Sequence, residues 1–503
     1  MKKHFLTNLA LLILLNLLIK PIWFFGIEVG VQNRVGEEIY GFYFSLFNFA
    51  FILNMLLDLG INNYNNRAIA RDHSLLKGHL AAIIPLKVFL FVVYAGVVLV
   101  SGKLLGYTRE QFQMLWLLVM NQFLASFILY FRTNISGLQL FRTDSLLSVM
   151  DRSLMILFTG LLFWGNLTSK PFDIRWFVLA QTASYSLTLL TTAIIVRTKS
   201  GSFFRQFSLS GSLRILRSSY PFALLILLMA LFNRVDSVML ERLLHDGMEQ
   251  AGIYAQSFRI FEAATQFSFL FAMLLLPMFS RLIQMKQNVN ELVRTALPLL
   301  MVTGLSVAII AYFYRYEIID LLYRAHTPYS SSIFGILMIG FLFVSASYLY
   351  GTLLTANHNL RQLNITAAFT VLLNIGLNLV LIPRLQALGA AISSLVSQGF
   401  YASAQMILSV RLLRIPANGD IFIRLAAFLA FNLLAAYLTR LLPGWAPGLL
   451  LLACNPFQLD FFALCRGCCE SSSRFGPRKT TSSSCSGSSR RWWSGSAMRL
   501  TRS

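Results

Sequence analysis

The chain has 503 residues, of which 56% are hydrophobic and only 12% are charged, and its mean hydropathy is +0.66. A soluble globular chain is about 45–50% apolar and about 25% charged, so this composition excludes a soluble enzyme. The 42 Lys and Arg residues against 20 Asp and Glu give a net charge of +22, which in a membrane protein indicates basic cytoplasmic loops and not nucleic-acid binding.

Hydrophobic runs of spanning length follow one another along the chain, separated by short polar breaks. A spanning helix needs about 20 apolar residues. The runs are 5–27, 41–60, 80–101, 112–131, 146–165, 174–196, 218–240, 252–280, 295–314, 331–356, 364–382, 386–410 and 421–442. A weaker run, 446–464, contains Asn455, Pro456 and Asp460. The pattern predicts an all-α polytopic membrane protein with 12–14 transmembrane helices.

Charges in the polar breaks predict the orientation. With the N-terminus in the cytoplasm, the inside loops carry more Lys and Arg than the outside loops, as the positive-inside rule requires. The connector 197–217 contains five basic residues and no acidic one, which makes it the clearest inside segment. No small-residue cleavage site follows the first run, so we predict a spanning helix there and not a cleaved signal peptide.

Short motifs recur in the two halves of the chain. Tyr40-Gly41-Phe42-Tyr43 opens the second run, and Ala251-Gly252-Ile253-Tyr254 opens the eighth. Transporters are often built from two such repeats, with the substrate site between them. We predict two six-helix lobes and C-terminal accessory helices. The divisions are 1–200 (N-terminal lobe), 201–217 (basic cytoplasmic connector), 218–410 (C-terminal lobe), 411–464 (span 13 and a broken span 14) and 465–503 (tail).

The tail differs in composition from the rest of the chain. All five cysteines lie at or after Cys454, and 465–503 is rich in Ser and Arg without helical periodicity. Cys465, Cys468 and Cys469 have no second Cys/His pair at ligand spacing nearby, so we predict no metal site there. The composition fits a disordered tail, and a tail read in a shifted frame is the interpretation we favour.

Signatures of catalysis are absent from the sequence. It contains no Gly-rich phosphate loop with Lys-Ser/Thr, no H-E-x-x-H and no G-x-S-x-G. The longest outside loops, near 240–251 and 315–330, are too short for a separate catalytic domain. We predict a protein that is not an enzyme, with no catalytic residue and no cofactor besides a coupling ion, H⁺ or Na⁺.

Charged residues inside the predicted spans are the candidates for function, because each costs on the order of 2.5–3.5 kcal/mol to insert. Five of them, Lys20, Asp58, Lys87, Arg259 and Glu262, are the ones we single out. Arg259, Glu262 and Gln266 are spaced by three and four residues, which places them on one face of the eighth span.

Structural roles compete with functional ones at several of these positions. Asp58 lies near the end of its span and could cap it, and Lys87 could extend to the membrane surface. Arg259 and Glu262 could form an ion pair that only holds helices together. Lys20, beside the helix-kinking Pro21, is the hardest to explain structurally.

Several motifs resemble those of one family. They are Val35–Tyr43, Leu57–Gly60 with Arg67, Arg234–Leu240, Ala251–Tyr254, Arg259–Glu262, Leu276–Arg281, Leu381–Arg384 and Leu388–Ala391. In this order they resemble the polysaccharide flippases, the O-antigen and oligosaccharide-lipid exporters of the multidrug/oligosaccharidyl-lipid/polysaccharide (MOP) superfamily. The resemblance covers about residues 5–442, and the tail departs from it.

The resemblance implies a cationic central cavity that holds a lipid-linked sugar diphosphate, with basic residues on spans one and eight. Lys20 and Arg259 occupy those spans, and Lys87 is a substitute for the basic residue that related flippases have on span two. Glu262, Asp58 and Gln266 are the candidates for ion coupling or ion pairing. No residue is expected to bind a metal.

These observations predict a flippase in the bacterial inner membrane that translocates an undecaprenyl-diphosphate-linked oligosaccharide by alternating access, for polysaccharide or lipopolysaccharide (O-antigen) biosynthesis. Its expected partners are membrane lipids, a polysaccharide polymerase and other assembly proteins, and no nucleic acid. A cation-coupled multidrug exporter of the same superfamily is the main alternative. A membrane-bound polymerase or ligase is a weaker one, because it would need a long periplasmic loop.

Overall fold

The computed structural model describes residues 14–16, 18–165, 171–200, 209–325, 327–413, 415 and 419–440. These residues form helices and short connections, and no β-strand occurs among them. The all-α prediction is therefore confirmed. The start of the connector 201–217, the broken fourteenth run and the tail 465–503 lie outside the described residues.

Fourteen helices account for nearly all of the described chain. They are α1 (Leu14–Val35), α2 (Glu37–Ile52), α3 (Ile61–Arg71), α4 (Leu76–Leu104), α5 (Arg109–Gly137), α6 (Phe141–Trp164), α7 (Ile174–Ser200), α8 (Leu209–Leu243), α9 (Gly247–Gln284), α10 (Asn290–Phe313), α11 (Arg315–Leu322), α12 (Pro328–Ala356), α13 (Leu360–Leu413) and α14 (Gly419–Arg440). A 3₁₀ turn, Leu53–Leu57, extends α2.

The described part of each of the thirteen predicted runs lies in or largely in one of these helices, and the runs 364–382 and 386–410 share α13. Ten helices in the described part of the chain are long and apolar enough to cross a membrane. The 54-residue α13 contains two spans, because its backbone leaves the helical region at Gln386 (φ 52°, ψ −132°), just after Pro383. A proline in a helix interior removes a backbone donor and favours such a break.

Sequence signals at the helix ends explain where two of the spans begin. Thr108 caps α5 by accepting from the backbone N–H of Gln111, whose side chain in turn accepts from the backbone N–H of Thr108. Thr327 and Ser330 make the same reciprocal capping box at the start of α12. Such boxes satisfy backbone donors that a helix leaves unpaired at its first turn.

The helices form two bundles that follow the order of the chain. In the first half, α5 packs on α3 and α7, and α7 packs on α6. In the second half, α12 packs on α9, α10 and α13, and α13 packs on α8. The two halves meet mainly where α2 contacts α8 and α9. Side chains on these three helices therefore determine what lies between the halves.

The first span is longer than its hydropathy predicts. The run ends at residue 27, but the helix continues to Val35, and its segment Ile22–Glu28 is π-helical. Gln32 and Asn33 in the added part donate to the carbonyl oxygens of Gly252 (2.9 Å) and Leu322 (2.8 Å) in the second half. Polar residues with buried partners lower the hydropathy of a segment without ending its helix.

The two repeated motifs pack directly against each other. Gly41 of α2 faces the backbone of Met248 and Gly252 on α9, and Gly252 faces the carbonyl of Glu37. A Cβ atom on either glycine would overlap these backbone atoms. The absence of side chains therefore brings α2 and α9 into backbone contact, close to the end at which both helices begin.

Candidate functional site

Two arginines and a glutamate meet between the halves. Arg259 Nη1 donates to Glu262 Oε2 (3.1 Å), one turn later on α9. Arg234 of α8 donates to the other carboxylate oxygen of Glu262 and, through Nη1, to Oδ1 of Asn48 on α2 (3.1 Å). The predicted i,i+3 pair of Arg259 and Glu262 on α9 thus forms. Glu262 also pairs with Arg234, which was not predicted as a site residue.

The first half contributes a buried carboxylate and a tyrosine. Arg259 Nε lies 3.4 Å from Glu28 Oε2 and donates to Tyr40 Oη (3.2 Å), and Tyr40 donates to Glu28. Arg259 and Glu28 are only 7% and 5% exposed. Burial of these charges is affordable only because they compensate each other. Arg259 consequently links α9 of the second half to α1 and α2 of the first.

Arg259 retains unused hydrogen-bond donors. Its buried Nη2 makes no hydrogen bond within the described residues. The guanidinium carbon lies 5.1 Å from the ring centroid of Phe44 and 5.7 Å from that of Phe47. A guanidinium presents planar, paired donors that suit a phosphate. The enclosed Nη2 thus carries donors that no described residue uses.

Lys20 joins the same region from α1. Its Nζ donates to Gln266 Oε1 on α9 (3.0 Å), so both of these predicted residues lie at the boundary between the halves. Arg152 and Asp151 of α6 lie within electrostatic range of Lys20. The Arg152 guanidinium lies 3.8 Å from the Asp151 carboxylate and 5.2 Å from the Trp23 ring centroid.

We call this group of charges the cationic cluster; it consists of Lys20, Arg152, Arg234, Arg259, Glu28, Asp151 and Glu262. Four basic side chains against three acidic ones leave an excess of positive charge. The side chains of Arg152 and Glu262 are 33% and 19% exposed, so part of the cluster is accessible to a ligand. An arrangement of this sign favours an anionic group.

Some cluster residues were not predicted from the sequence. Glu28 lies beyond the first hydrophobic run, and Arg234 appeared only within a family motif. Arg234 does fall inside the predicted run 218–240, and this depth was the signal that could have identified it. No comparable signal marked Glu28, because it lies just beyond the hydrophobic run that ends at residue 27.

Lys87 and Asp58 do not lie with the cluster. Lys87 is 1% exposed, and its Nζ donates to the Leu57 carbonyl (2.8 Å) and to Ser126 Oγ (2.9 Å). It also lies 3.5 Å from Asp58 Oδ1. Asp58 accepts from the backbone N–H of Asn62 where α3 begins. These contacts support a structural role for both residues, at the end of the second span.

Replacing Lys87 with alanine is expected to destabilise the protein without a specific loss of transport. The change removes the cation beside Asp58 and one of the two side-chain hydrogen bonds to the Leu57 carbonyl, at a cost on the order of 2 kcal/mol; this is below the 3–5 kcal/mol of a fully buried pair because Asp58 is 22% exposed. Thermal unfolding in detergent and transport per folded molecule measure the two effects. Lys87→Met with Asp58→Asn should restore much of the stability. Impaired transport with normal stability would instead support the predicted role of Lys87 in substrate binding.

A second buried carboxylate lies inside the second half. Asp236 of α8 is 2% exposed and accepts from Tyr254 Oη (3.0 Å) on α9 and from Asn378 Nδ2 (2.7 Å) on α13. No basic side chain in the described ranges lies within ion-pair distance of it. In those ranges there is also no group of three or more His, Cys, Asp or Glu side chains that could hold a metal ion.

Comparison with known proteins identifies the kind of chain this is. A model of the family described as "Polysaccharide biosynthesis protein" matches residues 5–283, which is more than half of the chain. A search of curated protein sequences gives no match.

Solved structures of transporters share the fold. The structure "Lipid II flippase MurJ, inward closed conformation" superimposes with a TM-score of 0.71 at 14% identity, over 90% of this chain and 100% of that one. The bent form of the Vibrio cholerae MATE transporter VcmN gives 0.53 at 15% identity, over 81% and 98%. An inward-facing multidrug resistance MATE transporter of the MOP superfamily gives 0.58 at 15%, over 80% and 94%. At these identities the similarity shows a common fold and no more.

Proposed function

Because the chain belongs to the polysaccharide biosynthesis protein family and has the fold of MOP transporters, we propose that it is a flippase for lipid-linked oligosaccharides. Its substrate would be an oligosaccharide carried on undecaprenyl diphosphate, moved from the cytoplasmic to the periplasmic leaflet of a bacterial inner membrane. The N-terminus would be cytoplasmic. Such a protein makes and breaks no bond, so it is not an enzyme. A polymerase and other assembly proteins would act on the exported product.

The cationic cluster is the observation that carries this proposal. A diphosphate brings about two negative charges into a site of low dielectric, and desolvating them without partners would be prohibitive. Arg259 offers the free donors of Nη2, and Arg234 and Lys20 add charge from two other helices. When no ligand is bound, Glu28 and Glu262 form ion pairs with the arginines. A diphosphate would compete with these carboxylates for the same donors.

The contact between Gly41 and Gly252 supports alternating access. It closes the predicted outside end of the boundary between the halves, where Gln256 Nε2 also donates to Glu37 Oε1 (2.9 Å). Toward the other end, α9 exposes Phe269, Met273 and Leu276, which are 41%, 47% and 39% exposed. We infer from this arrangement that a ligand would reach the cluster from the predicted cytoplasmic side.

Reconstitution in liposomes tests the proposal. Fluorescent polyprenyl-diphosphate oligosaccharide in the inner leaflet should become accessible to an external quencher when the purified protein is present, and a phosphatidylcholine probe should not. Protein-free vesicles serve as the control. Equal movement of both lipids, or of neither, would refute the proposal.

A cation-coupled multidrug exporter is the second candidate. The observation that favours it is Asp236, a buried carboxylate without a basic partner among the described residues, since such a group can bind a cation. The carboxylates of the cationic cluster are already paired with arginines, which makes that site unfavourable for a cationic drug. Export of an organic cation by the same liposomes, without movement of the lipid, would establish this alternative.

We expect Asp236→Asn to uncouple transport from an ion gradient in either case. A coupling free energy of about 1–3 kcal/mol corresponds to roughly 5–150-fold stimulation by the gradient, which the neutral side chain should remove. Asn keeps the shape of Asp, and Tyr254 can still donate to it. Transport with and without an imposed H⁺ or Na⁺ gradient measures the effect, with the exposed Glu291→Gln as the control. Full stimulation in Asp236→Asn would exclude Asp236 as the coupling site.

A further inference from the structure

Buried polar side chains line one face of the second part of α13. Ser394, Gln398, Gln405 and Ser409 are at most 4% exposed. Their spacings of four, seven and four residues place them on the same face of the helix. We call these four residues the polar column. At 1.5 Å per residue the column extends over about 22 Å, which is most of the roughly 30 Å of a bilayer's hydrocarbon core.

The column contains oxygen atoms without partners. Gln398 Oε1, Gln405 Oε1 and Ser409 Oγ are buried and make no hydrogen bond to any residue that the structure describes. The amide nitrogen of Gln398 is satisfied, since Nε2 donates to Ser394 Oγ (3.0 Å). A buried acceptor without a donor loses the hydrogen bonds that it made with water, and native proteins satisfy such groups with a bound water or ion. The column therefore favours a polar occupant.

Helix packing alone does not account for these side chains. Polar residues between membrane helices commonly hydrogen-bond across the interface. Gln398 Oε1 instead lies against Gly340 of α12, where a Cβ atom would overlap it. Gln405 Oε1 would lie 3.2 Å from a Cβ on Gly351 of the same helix. The two glycines leave room for the amides but have no side chain that could donate to them.

The two ends of the column lie at different places in the second half. At one end, Tyr254 Oη donates to Asp236 (3.0 Å) and also interacts with Ser394. At the other end, Ser409 lies four residues before Leu413, where α13 ends on the predicted cytoplasmic side. The column thus leads from the buried carboxylate of the second half toward the cytoplasm.

We propose that the polar column is the route by which a monovalent cation bound at Asp236 is released to the cytoplasmic side. Its uncharged oxygens can replace the hydration of a cation without retaining it as strongly as a carboxylate does. The negative charge of Asp236 disfavours an anion at the start of the route. A hydrated Na⁺ and a proton relayed by water would use the same oxygens. The inference rests on the proposed transport function and on the coupling role of Asp236, and it adds the path by which the ion leaves.

Cation movement into proteoliposomes tests this inference. Uptake of labelled Na⁺ and the response of a trapped pH dye report Na⁺ and H⁺ separately, alongside the assay of lipid movement. Gln405→Leu replaces the amide with an apolar side chain of similar size. It should abolish cation movement and remove the roughly 5–150-fold stimulation of lipid transport by the ion gradient, with unstimulated transport at the parental rate. Gln405→Asn is the matched control, because it keeps the amide in a smaller side chain and should retain most of the stimulation.

The outcomes separate this inference from the function on which it rests. If Gln405→Leu keeps parental cation movement and stimulation, the column does not carry the ion, although the flippase function stands. Loss of unstimulated lipid transport as well would indicate a packing role and refute the inference, as would a parental protein that moves no cation. If the parental protein moves cations but no lipid, the proposed function fails, and loss of cation movement in Gln405→Leu still supports the route.

Discussion

Replacing Arg259 with alanine is expected to abolish transport of the lipid-linked oligosaccharide while the protein still inserts into the membrane. The side chain joins Glu28, Tyr40 and Glu262 and carries the unused donors on Nη2, so its loss removes the main anion contact that we propose. Arg259→Lys keeps the charge but not the planar fork, and should restore only part of the rate. Complementation of a strain that lacks its own oligosaccharide flippase, with expression verified by blotting, measures the effect.

The control for this prediction must separate function from stability. Arg259→Ala also leaves the buried Glu28 unpaired, which typically costs about 3–5 kcal/mol. Arg259→Ala with Glu28→Gln removes that penalty and should recover folding but not transport. Arg281→Ala changes an exposed arginine of the same helix and should transport normally. Parental export by Arg259→Ala and by Lys20→Ala would show that the charges are structural, and would favour the drug-exporter function.

Replacing Gly252 with leucine is expected to open the outer end of the protein and to stop most transport. A side chain at this position overlaps the carbonyl of Glu37, so the closed contact between α2 and α9 cannot form unchanged. A cysteine introduced at the buried Ala255 reports the change, in a background without the five native cysteines. Its reaction with a thiol reagent added outside should accelerate about 5–150-fold, because overpacking of this kind costs about 1–3 kcal/mol.

A second glycine provides the matched control for Gly252→Leu. A Cβ on Gly96 of α4 would meet nothing within 4 Å, so Gly96→Leu tests the effect of the same substitution in a helix without the steric overlap. It should leave both the reaction of the reporter cysteine and the transport rate at the parental level. An unchanged reaction rate in Gly252→Leu would show that the glycine contact does not hold the outer end closed.

The helices of this protein could be predicted from hydropathy far better than its charged site. Every predicted run within the described residues lies mainly in a helix, because bilayer-spanning segments must be long and apolar regardless of their neighbours. Burial of a charge, in contrast, depends on partners from distant parts of the chain. Lys87 and Lys20 have similar sequence surroundings, yet Lys87 bonds to the end of the second span and Lys20 to Gln266 of α9. Only the packing of helices distinguishes them.

For the repeated motifs, too, the sequence predicted the elements but not the contact between them. The resemblance between Tyr40-Gly41 and Ala251-Gly252 predicted that the halves are related, which sequence comparison can detect. That the two glycines touch each other follows from the packing of α2 on α9, and no spacing in the chain encodes it. Arg234 was similarly visible as a charge at spanning depth, but its pairing with Glu262 and Asn48 requires the assembled halves.

The contact between Gly41 and Gly252 lies close to one end of α9, so a rotation of α9 about this contact moves the two ends of the helix by very different distances. Gly252 is near the start of this 38-residue helix, so about 48 Å of helix extends beyond it at 1.5 Å per residue. If α9 rotates by about 10° with the contact as its fulcrum, its far end moves by about 8 Å, whereas Arg259, about 10 Å from the fulcrum, moves by less than about 2 Å. A rotation that moves the far end of α9 far enough to admit a sugar chain therefore displaces Arg259 only slightly. As long as the contact between Gly41 and Gly252 is intact, we expect the same diphosphate contacts to persist while the far end of α9 moves.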